Sequence, residues 1–519
     1  MRLNGMIWLQ LVIITVINKL LGIVGAVQCP DYASYSQAPH EPLSGGRYNL
    51  PYMRPQPLCR SFNSSDLEDI IIDMKNVIKD PDLYRLFENC FPNSLDTAVK
   101  WRGTAANNSK EELAFLITGD INAMWLRDSA NQMQSYRSFL KASSSSDSLA
   151  SLYRGVINLQ ARYINLAPFC NSFQPPVESG LAPTKNQDNP NNVNPPYNAD
   201  QVFECKYELD SLAAFLEIST NYFEATKDTQ FFKDFQWVSA VKTIITTTEL
   251  LMEGTYASDG SVNKCPYTWN QQSTSGSETL TNGGCGNPVK GDIGLVRSAF
   301  RPSDDATIFQ FFIPANMMFA GYLSSASKIM AILGTENELA DHMNQLSLTI
   351  RTAITKYAIV RDATYGDVYA YEVDGFGSIN RMDDANIPSL LSAPIIRYSN
   401  ISDTIYQNTR RYVLSEDNPY FMRGPIINAV GGPHVGPGMA WPMASIVRIL
   451  TSDDEKEITT ALKEIVSSTA GLGLIHESIN SFNESRWTRQ WFSWANGLLG
   501  ECLLDLKARK AEILGQSFQ

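Results

Sequence analysis

Apolar residues recur at every third or fourth position through most of the chain. The clearest run is Leu67, Ile70, Ile71, Met74, Val77 and Ile78, whose period near 3.6 puts one apolar face on a helix. Ser65-Asp66-Leu67-Glu68 offers a capping box at its start. The same period returns around 129–141, 148–165, 207–226, 231–253, 306–331, 336–357, 402–414, 439–450, 454–468 and 490–509, so about eleven helices are predicted. Strand-like pieces are short, at Phe115–Thr118 and Val368–Val373. Gln28–Arg60 is rich in Pro, Gly, Ser and Tyr and reads as an extended arm. Asn186–Pro196, Asn270–Asn287 and the serine run Ser143–Ser146 are polar surface connections, and none separates two different compositions. The expectation is one catalytic-sized domain over 61–519, all-α with a few short strands in its loops. A helical bundle core stays only a few side chains thick. Closing helix hairpins into a double ring, an (α/α)6 toroid, solves that for a domain of this size. An open solenoid needs repeats of fixed length, and the chain has none.

Composition narrows the function. The chain has 519 residues, 44% apolar and only 18% charged, which excludes global disorder. Lys plus Arg number 42 against 54 Asp plus Glu, a net charge of 42 − 54 = −12. Such a chain repels phosphate backbones, and no nucleic-acid partner is expected. Four His (His40, His342, His434 and His476) argue against a His-rich metal site, and no metal or cofactor is expected. At the N-terminus, Arg2 precedes an apolar stretch from Met6 to Ile17, Lys19 interrupts it, and Val24-Gly25-Ala26 follows. Residues 1–27 read as a signal peptide cleaved after Ala26. The alternative is an uncleaved anchor over Met6–Val27, the only route by which the chain would meet a membrane. Either way the remainder faces the secretory lumen (ER or Golgi) or the exterior. Sequons open at Asn63, Asn107, Asn400 and Asn483, and the eight Cys suit a few disulfides. Cys170 with Cys205 and Cys265 with Cys285 flank polar loops and are natural staples; buried free thiols are the alternative.

Four segments are composed unlike ordinary helix or loop: Thr118–Ser129 (TGDINAMWLRDS), Arg297–Ala306 (RSAFRPSDDA), Gly431–Trp441 (GGPHVGPGMAW), and Gly471–Ser478 (GLGLIHES) with the Trp-rich Trp487–Trp494. Carboxyls beside aromatics point to glycoside chemistry. Cleavage needs one protonated carboxyl for the leaving oxygen and one ionised carboxyl to activate water or attack. Asp304 or Asp305 is one candidate and Glu477 the other; the Asp304-Asp305 doublet is expected to raise one pKa, as an acid requires. A Trp face stacks on a pyranose, and Arg127 with Asp128 forks onto hydroxyls. Each feature also has a plainer reading. Ser303-Asp304-Asp305 suits a helix N-cap before the run from Ile308. Arg127-Asp128 suits a structural ion pair, His476-Glu477 a turn cap, and His434 a backbone hydrogen bond. Trp487, Trp491 and Trp494 suit core packing on one helix face.

Taken in order, TGDINAMWLRDS, RSAFRPSDDA with the following FFIPANM, GGPHVGPGMAWPM, LIHES and RQWFSWANGLLGE resemble the successive signature blocks of glycoside hydrolase family 125, as found in its fungal members. The resemblance spans roughly residues 115–505. It implies an (α/α)6 toroid and an exo-acting α-1,6-mannosidase that inverts the anomeric centre without a metal. The aspartate in RPSDD would be the general acid, with Asp304 the first choice and Asp305 open, and Glu477 the general base. Trp125, Arg127 and Asp128 would line the terminal-sugar pocket, with Asp120, Arg301, Asp305, His434, His476 and Trp491 as neighbours. The N-terminal segment and the long polar loops are additions to the family pattern and bear on specificity. Rival readings are a calcium-dependent processing α-mannosidase of another α/α-toroid family and a catalytically silent glycan-binding protein.

Overall fold

The structure is a computed structural model describing residues 28–186 and 192–519. The expected leader at 1–27 and the middle of the 186–196 loop lie outside the described residues. Twelve helices of eight residues or more occur there: α1 (Ser65–Val77), α2 (Pro81–Cys90), α3 (Leu126–Gln134), α4 (Leu149–Leu166), α5 (Leu209–Thr226), α6 (Trp237–Leu250), α7 (Ile313–Leu333), α8 (Asn337–Tyr357), α9 (Thr404–Val413), α10 (Pro442–Leu450), α11 (Glu455–Ser467) and α12 (Ser493–Arg509). None is long and apolar enough to cross a membrane.

The helices divide by burial. Every residue of α3 is buried, as are Leu209–Tyr222 of α5 and Ile313–Leu323 of α7. In α3 and α5 the buried positions include polar and charged side chains (Arg127, Asp128, Asp210, Glu217), so these helices are covered on every side and not on one apolar face alone. In α8, by contrast, the buried set is Ala340, Met343, Leu346, Ser347, Ile350, Ala353 and Ile354, a single stripe. Neighbours follow from this division. Helices α10, α12, α3, α5 and α7 pack in succession, and α11, α2, α4 and α8 back α10, α12, α5 and α7. Beyond α7 the irregular segment around Ile396 comes close, and Gly321 permits it: a Cβ there would stand 2.8 Å from the Ile396 carbonyl oxygen.

Short strands punctuate the loops. β1 (Val99–Ala105) and β2 (Asn108–Leu116) form an antiparallel hairpin. β3 (Met124–Trp125), β4 (Ser172–Phe173) and β5 (Val202–Glu204) make one small sheet; β6 (Phe311–Phe312), β7 (Glu372–Val373) and β8 (Ile379–Asn380) make a second. β9 (Met439–Ala440), β10 (Ser478–Asn480) and β11 (Asn483–Thr488) make a third. β3, β6 and β9 run directly into the starts of α3, α7 and α10, so the sheets fix where those helices begin.

Several sequence expectations need correction. Ser64, one residue ahead of the proposed box, caps α1 by accepting from the Leu67 N–H. The 231–253 stretch is two helices, Thr229–Asp234 and α6. The predicted helix over 306–331 begins only at Ile313, because Ala306–Phe312 is loop and strand. Trp487 lies in β11, Trp491 in a loop and Trp494 in α12, so they share no helix face. Helix α2 and the β1–β2 hairpin were not anticipated. Both expected staples form, Cys170–Cys205 and Cys265–Cys285, together with Cys29–Cys59; Cys90 and Cys502 are buried thiols. The arm does lie on the domain. Arg54 pairs with Asp96 at 2.7 Å and Glu68 at 2.6 Å, and the Tyr32 hydroxyl donates to the Met53 carbonyl.

Candidate active site

The N-terminal ends of α3, α10 and α12 converge on one cavity. Trp125, Trp441 and Phe492 are the residues immediately before α3, α10 and α12, and Arg127, Asp128 and Trp494 occupy first turns. All six line the same cavity. Asp304, Asn386, His434, Glu477 and Arg489 reach it from loops.

The loop carrying Asp304 is held from behind. Arg301, fully buried, donates from Nε to Glu372 at 2.7 Å and stacks over Tyr371, so it anchors the loop and does not line the cavity. Ser303 donates to Asp384 at 2.7 Å. Asp304 therefore caps no helix. Its φ of 66° is left-handed, a conformation that costs a non-glycine residue ~1 kcal/mol or more. The doublet splits: Asp304 lines the cavity, while Asp305 turns away, its carboxylate 3.6 Å from His434 Nδ1. That carboxylate, with Glu477 and Asp304 beyond, overcomes burial and raises His434 to about 9, so the loop histidine is a cation.

Around Asp304 lies a wall that the sequence reading missed. Arg127 stands 2.5 Å from Glu208, 3.2 Å from Asp210, 3.5 Å from Asp128 and 3.8 Å from Asp304. Lys206 pairs with Glu204 at 3.2 Å. Burial alone would raise Asp304, but Lys206 and Arg127 outweigh it and hold the carboxyl below its ordinary value. The upward shift expected within the Asp304-Asp305 doublet does not fall on Asp304, where the two cations outweigh burial. Burial pushes Asp210 up to about 6 and Glu208 well above the carboxylate range, against the pull of Arg127. A charge cluster inside Glu204–Asp210 (ECKYELD), just ahead of an apolar helix, was the available signal.

At the opposite side, Glu477 faces Arg489 at 3.4 Å, and Arg489 holds Asp120 at 2.6 Å while covering the Phe492 ring. Gly119 bridges to Phe492, and its φ of 139° brings it where a Cβ would meet the Trp491 carbonyl at 2.5 Å. His476 is fully buried, bonded to the Thr469 carbonyl and stacked on Trp487, so it props the Glu477 loop from beneath. Trp491 is also turned away: its indole donates to Asn93 and its ring meets the edge of Tyr32 in the arm. Of the predicted residues, Trp125, Arg127, Asp128, Asp304, His434 and Glu477 share the cavity; Asp120, Arg301, Asp305, His476 and Trp491 stand behind or beside it. Asn386, Trp441, Phe492 and Arg489 line it without having been singled out.

A sequence profile of the metal-independent α-mannosidases (GH125) matches residues 80–504. The chain belongs to glycoside hydrolase family 125. The meiotically up-regulated gene 157 protein of Schizosaccharomyces pombe is 44% identical to this GH125 chain over 488 residues, covering 94% of each. Among solved structures, a metal-independent α-mannosidase of Streptococcus pneumoniae, in a non-productive complex with α-1,6-mannobiose, is 30% identical. It superposes with a TM-score of 0.75 over 87% of this chain and all of that one. The fold is the α/α-type glycosidase fold of this family, and the protein is a GH125 glycosidase.

Proposed function

We propose that this GH125 protein is an exo-acting α-1,6-mannosidase that removes terminal mannose from mannan or an N-glycan with inversion, Asp304 serving as general acid and Glu477 as general base. One observation carries the reading: the two carboxyls come from distant loops to line one cavity, each beside a different guanidinium. Asp304 protonates the leaving oxygen while Glu477 takes a proton from the water attacking the anomeric carbon. Trp125 and Trp441 supply apolar faces to the pyranose and Asp128 a carboxylate for its hydroxyls. The linkage is supported by the mannobiose bound to the pneumococcal relative, and metal independence by the family's description. Helices packed in succession and backed by a second layer support closure as an (α/α)6 toroid. We also assign residues 1–27 to a leader, 28–60 to the arm and 61–519 to the catalytic domain. Three disulfides and four exposed sequon asparagines support a luminal or secreted location.

The test is proton NMR of the mannose first released from α-1,6-mannobiose. Early β-mannose is expected from the wild type, and Glu477→Gln is expected to lose ~10²–10⁴-fold in rate while keeping its fold. Early α-mannose refutes inversion, and full activity in the variant refutes the base. Activity abolished by a chelator favours the calcium-dependent alternative, and binding without turnover favours a silent lectin.

A further inference from the structure

A second hollow lies against the active-site cavity, and two chain segments form the wall between them. Along 117–122, Thr118 and Ile121 line the cavity, while Ile117, Gly119, Asp120 and Asn122 line the hollow on the other side. Along 489–492, Arg489 and Phe492 line the cavity and Trp491 the hollow. Gly119 and Phe492 are bridged antiparallel. Extended chains send successive side chains to opposite faces, so this wall is one backbone layer thick. The 2.6 Å Arg489–Asp120 pair crosses it with side chains 18% and 24% exposed, so water reaches the wall where the two hollows adjoin. Asp120 and Trp491, the motif residues that the cavity leaves unused, both belong to this second hollow.

Its far wall is the arm, through Asp31, Tyr32, Pro55 and Cys59. The Cys29–Cys59 disulfide and the 2.7 Å bond from Arg54 to Asp96 hold that wall in place before any ligand arrives. The arm precedes residue 80, where the family match begins, so this wall is an addition to the matched pattern. Asp96 and Asp120 each have their own guanidinium, and Asp31 and Lys100 balance, so the cleft offers no net charge to an ion. Hydrogen-bonding groups of both kinds remain. Lys100 donates. Asn122 Oδ1 is buried without a partner among the described residues, and Asp31 takes both Ser34 bonds on Oδ2, leaving Oδ1 to accept. Such groups beside the apolar surfaces of Tyr32 and Pro55 suit a neutral polyhydroxylated ring, which is a pyranose.

We propose that this cleft is an aglycone subsite, which binds mannose units of the leaving group beyond the first while the terminal mannose occupies the cavity. The inference rests on the exo-mannosidase reading above. Binding energy gained so far from the reacting atoms raises kcat/KM on longer chains and gives mannobiose nothing.

Initial rates on α-1,6-mannobiose and α-1,6-mannotetraose test it. The wild type is expected to favour the tetraose by about tenfold in kcat/KM. Lys100→Ala, at an exposed strand position, is expected to lose about fivefold of that preference. Cys29→Ser combined with Cys59→Ser, which frees the arm, is expected to lose most of it. Loss in either variant supports the subsite. A preference that survives both changes arises elsewhere and overturns the proposal. Equal kcat/KM of the wild type on the two substrates also overturns it, and leaves the exo-mannosidase reading standing. A wild type that cleaves neither substrate sinks that reading, and the subsite with it.

Discussion

The Arg489 guanidinium lies 3.4 Å from the Glu477 carboxylate, and its own orientation is fixed by Asp120 at 2.6 Å. This gives the proposed base a rigid cationic partner that is itself braced, so the effect of a change should decay outward. Arg489→Gln is expected to lower kcat/KM on α-1,6-mannobiose by ~10²-fold, about 3 kcal/mol of transition-state stabilisation. Asp120→Asn is expected to cost less than about tenfold. Initial rates measure both, and an Asp120 loss as large as that of Arg489 means that Asp120 itself touches the sugar.

The pH dependence follows from the charges around Asp304. Its carboxyl is held low by Lys206 and Arg127 against burial, so the protonated fraction falls as pH rises above that lowered value. Mannobiose turnover is therefore expected to increase as pH drops, approaching tenfold per unit on the basic side. α-Mannosyl fluoride, which needs no acid, is expected to lack this limb. Lys206→Met removes one of the two cations that hold Asp304 down and is expected to shift the limb to higher pH. A profile identical in wild type and variant would show that Asp304 does not donate the proton.

The outer helices were legible because their information is local: the stripe on α8 is written in its own spacing. Helix α2 carries equally local signals, Asp80 as cap and Pro81 in the first turn, yet its short apolar run, Leu83, Leu86 and Phe87, gave the periodicity little to repeat. The start of α7 was not legible. Ala306–Phe312 has the composition of the helix that follows it, and what excludes it is Asp304 at φ 66° together with the Ser303–Asp384 bond, 81 residues apart in sequence. The motif blocks disclosed both proposed catalytic carboxyls. They did not disclose Glu208, because a glutamate beside a tyrosine and a leucine looks ordinary until Arg127 is folded against it. Trp491 misled for the opposite reason, since a tryptophan serves an arm as readily as a sugar.

The arm provides a stability test. Cys29–Cys59 spans 30 residues, and Tyr32 inside that loop meets Trp491 with ring centroids 4.8 Å apart. Replacing both cysteines by serine releases a loop whose closure entropy corresponds to ~3.6 kcal/mol. The double variant is expected to unfold at lower urea while keeping kcat on mannobiose within about twofold, because Arg54 still pairs with Asp96 and Glu68. A large loss of kcat with an unchanged urea midpoint would instead make the arm part of the sugar site.

His476 sets an acid limit on the fold. Burial lowers its pKa to about 4 from 6.5, outweighing the Thr469 and Arg489 carbonyls that face its ring. In the unfolded chain the imidazole binds its proton near 6.5, in the folded chain only near 4, so the unfolded state gains protons across that interval and stability falls with pH. The stabilisation is complete above 6.5 and is lost on the way down to 4, a total of ~3 kcal/mol at 1.36 kcal/mol per unit. His476→Gln stays neutral throughout and keeps a donor for the Thr469 carbonyl. It is expected to be the less stable protein at about pH 7 and to close most of that gap near 4, as read by urea midpoints at successive pH values. A constant gap would mean that the ring is already protonated beneath Glu477, and the loop carrying the proposed base would then rest on a cation.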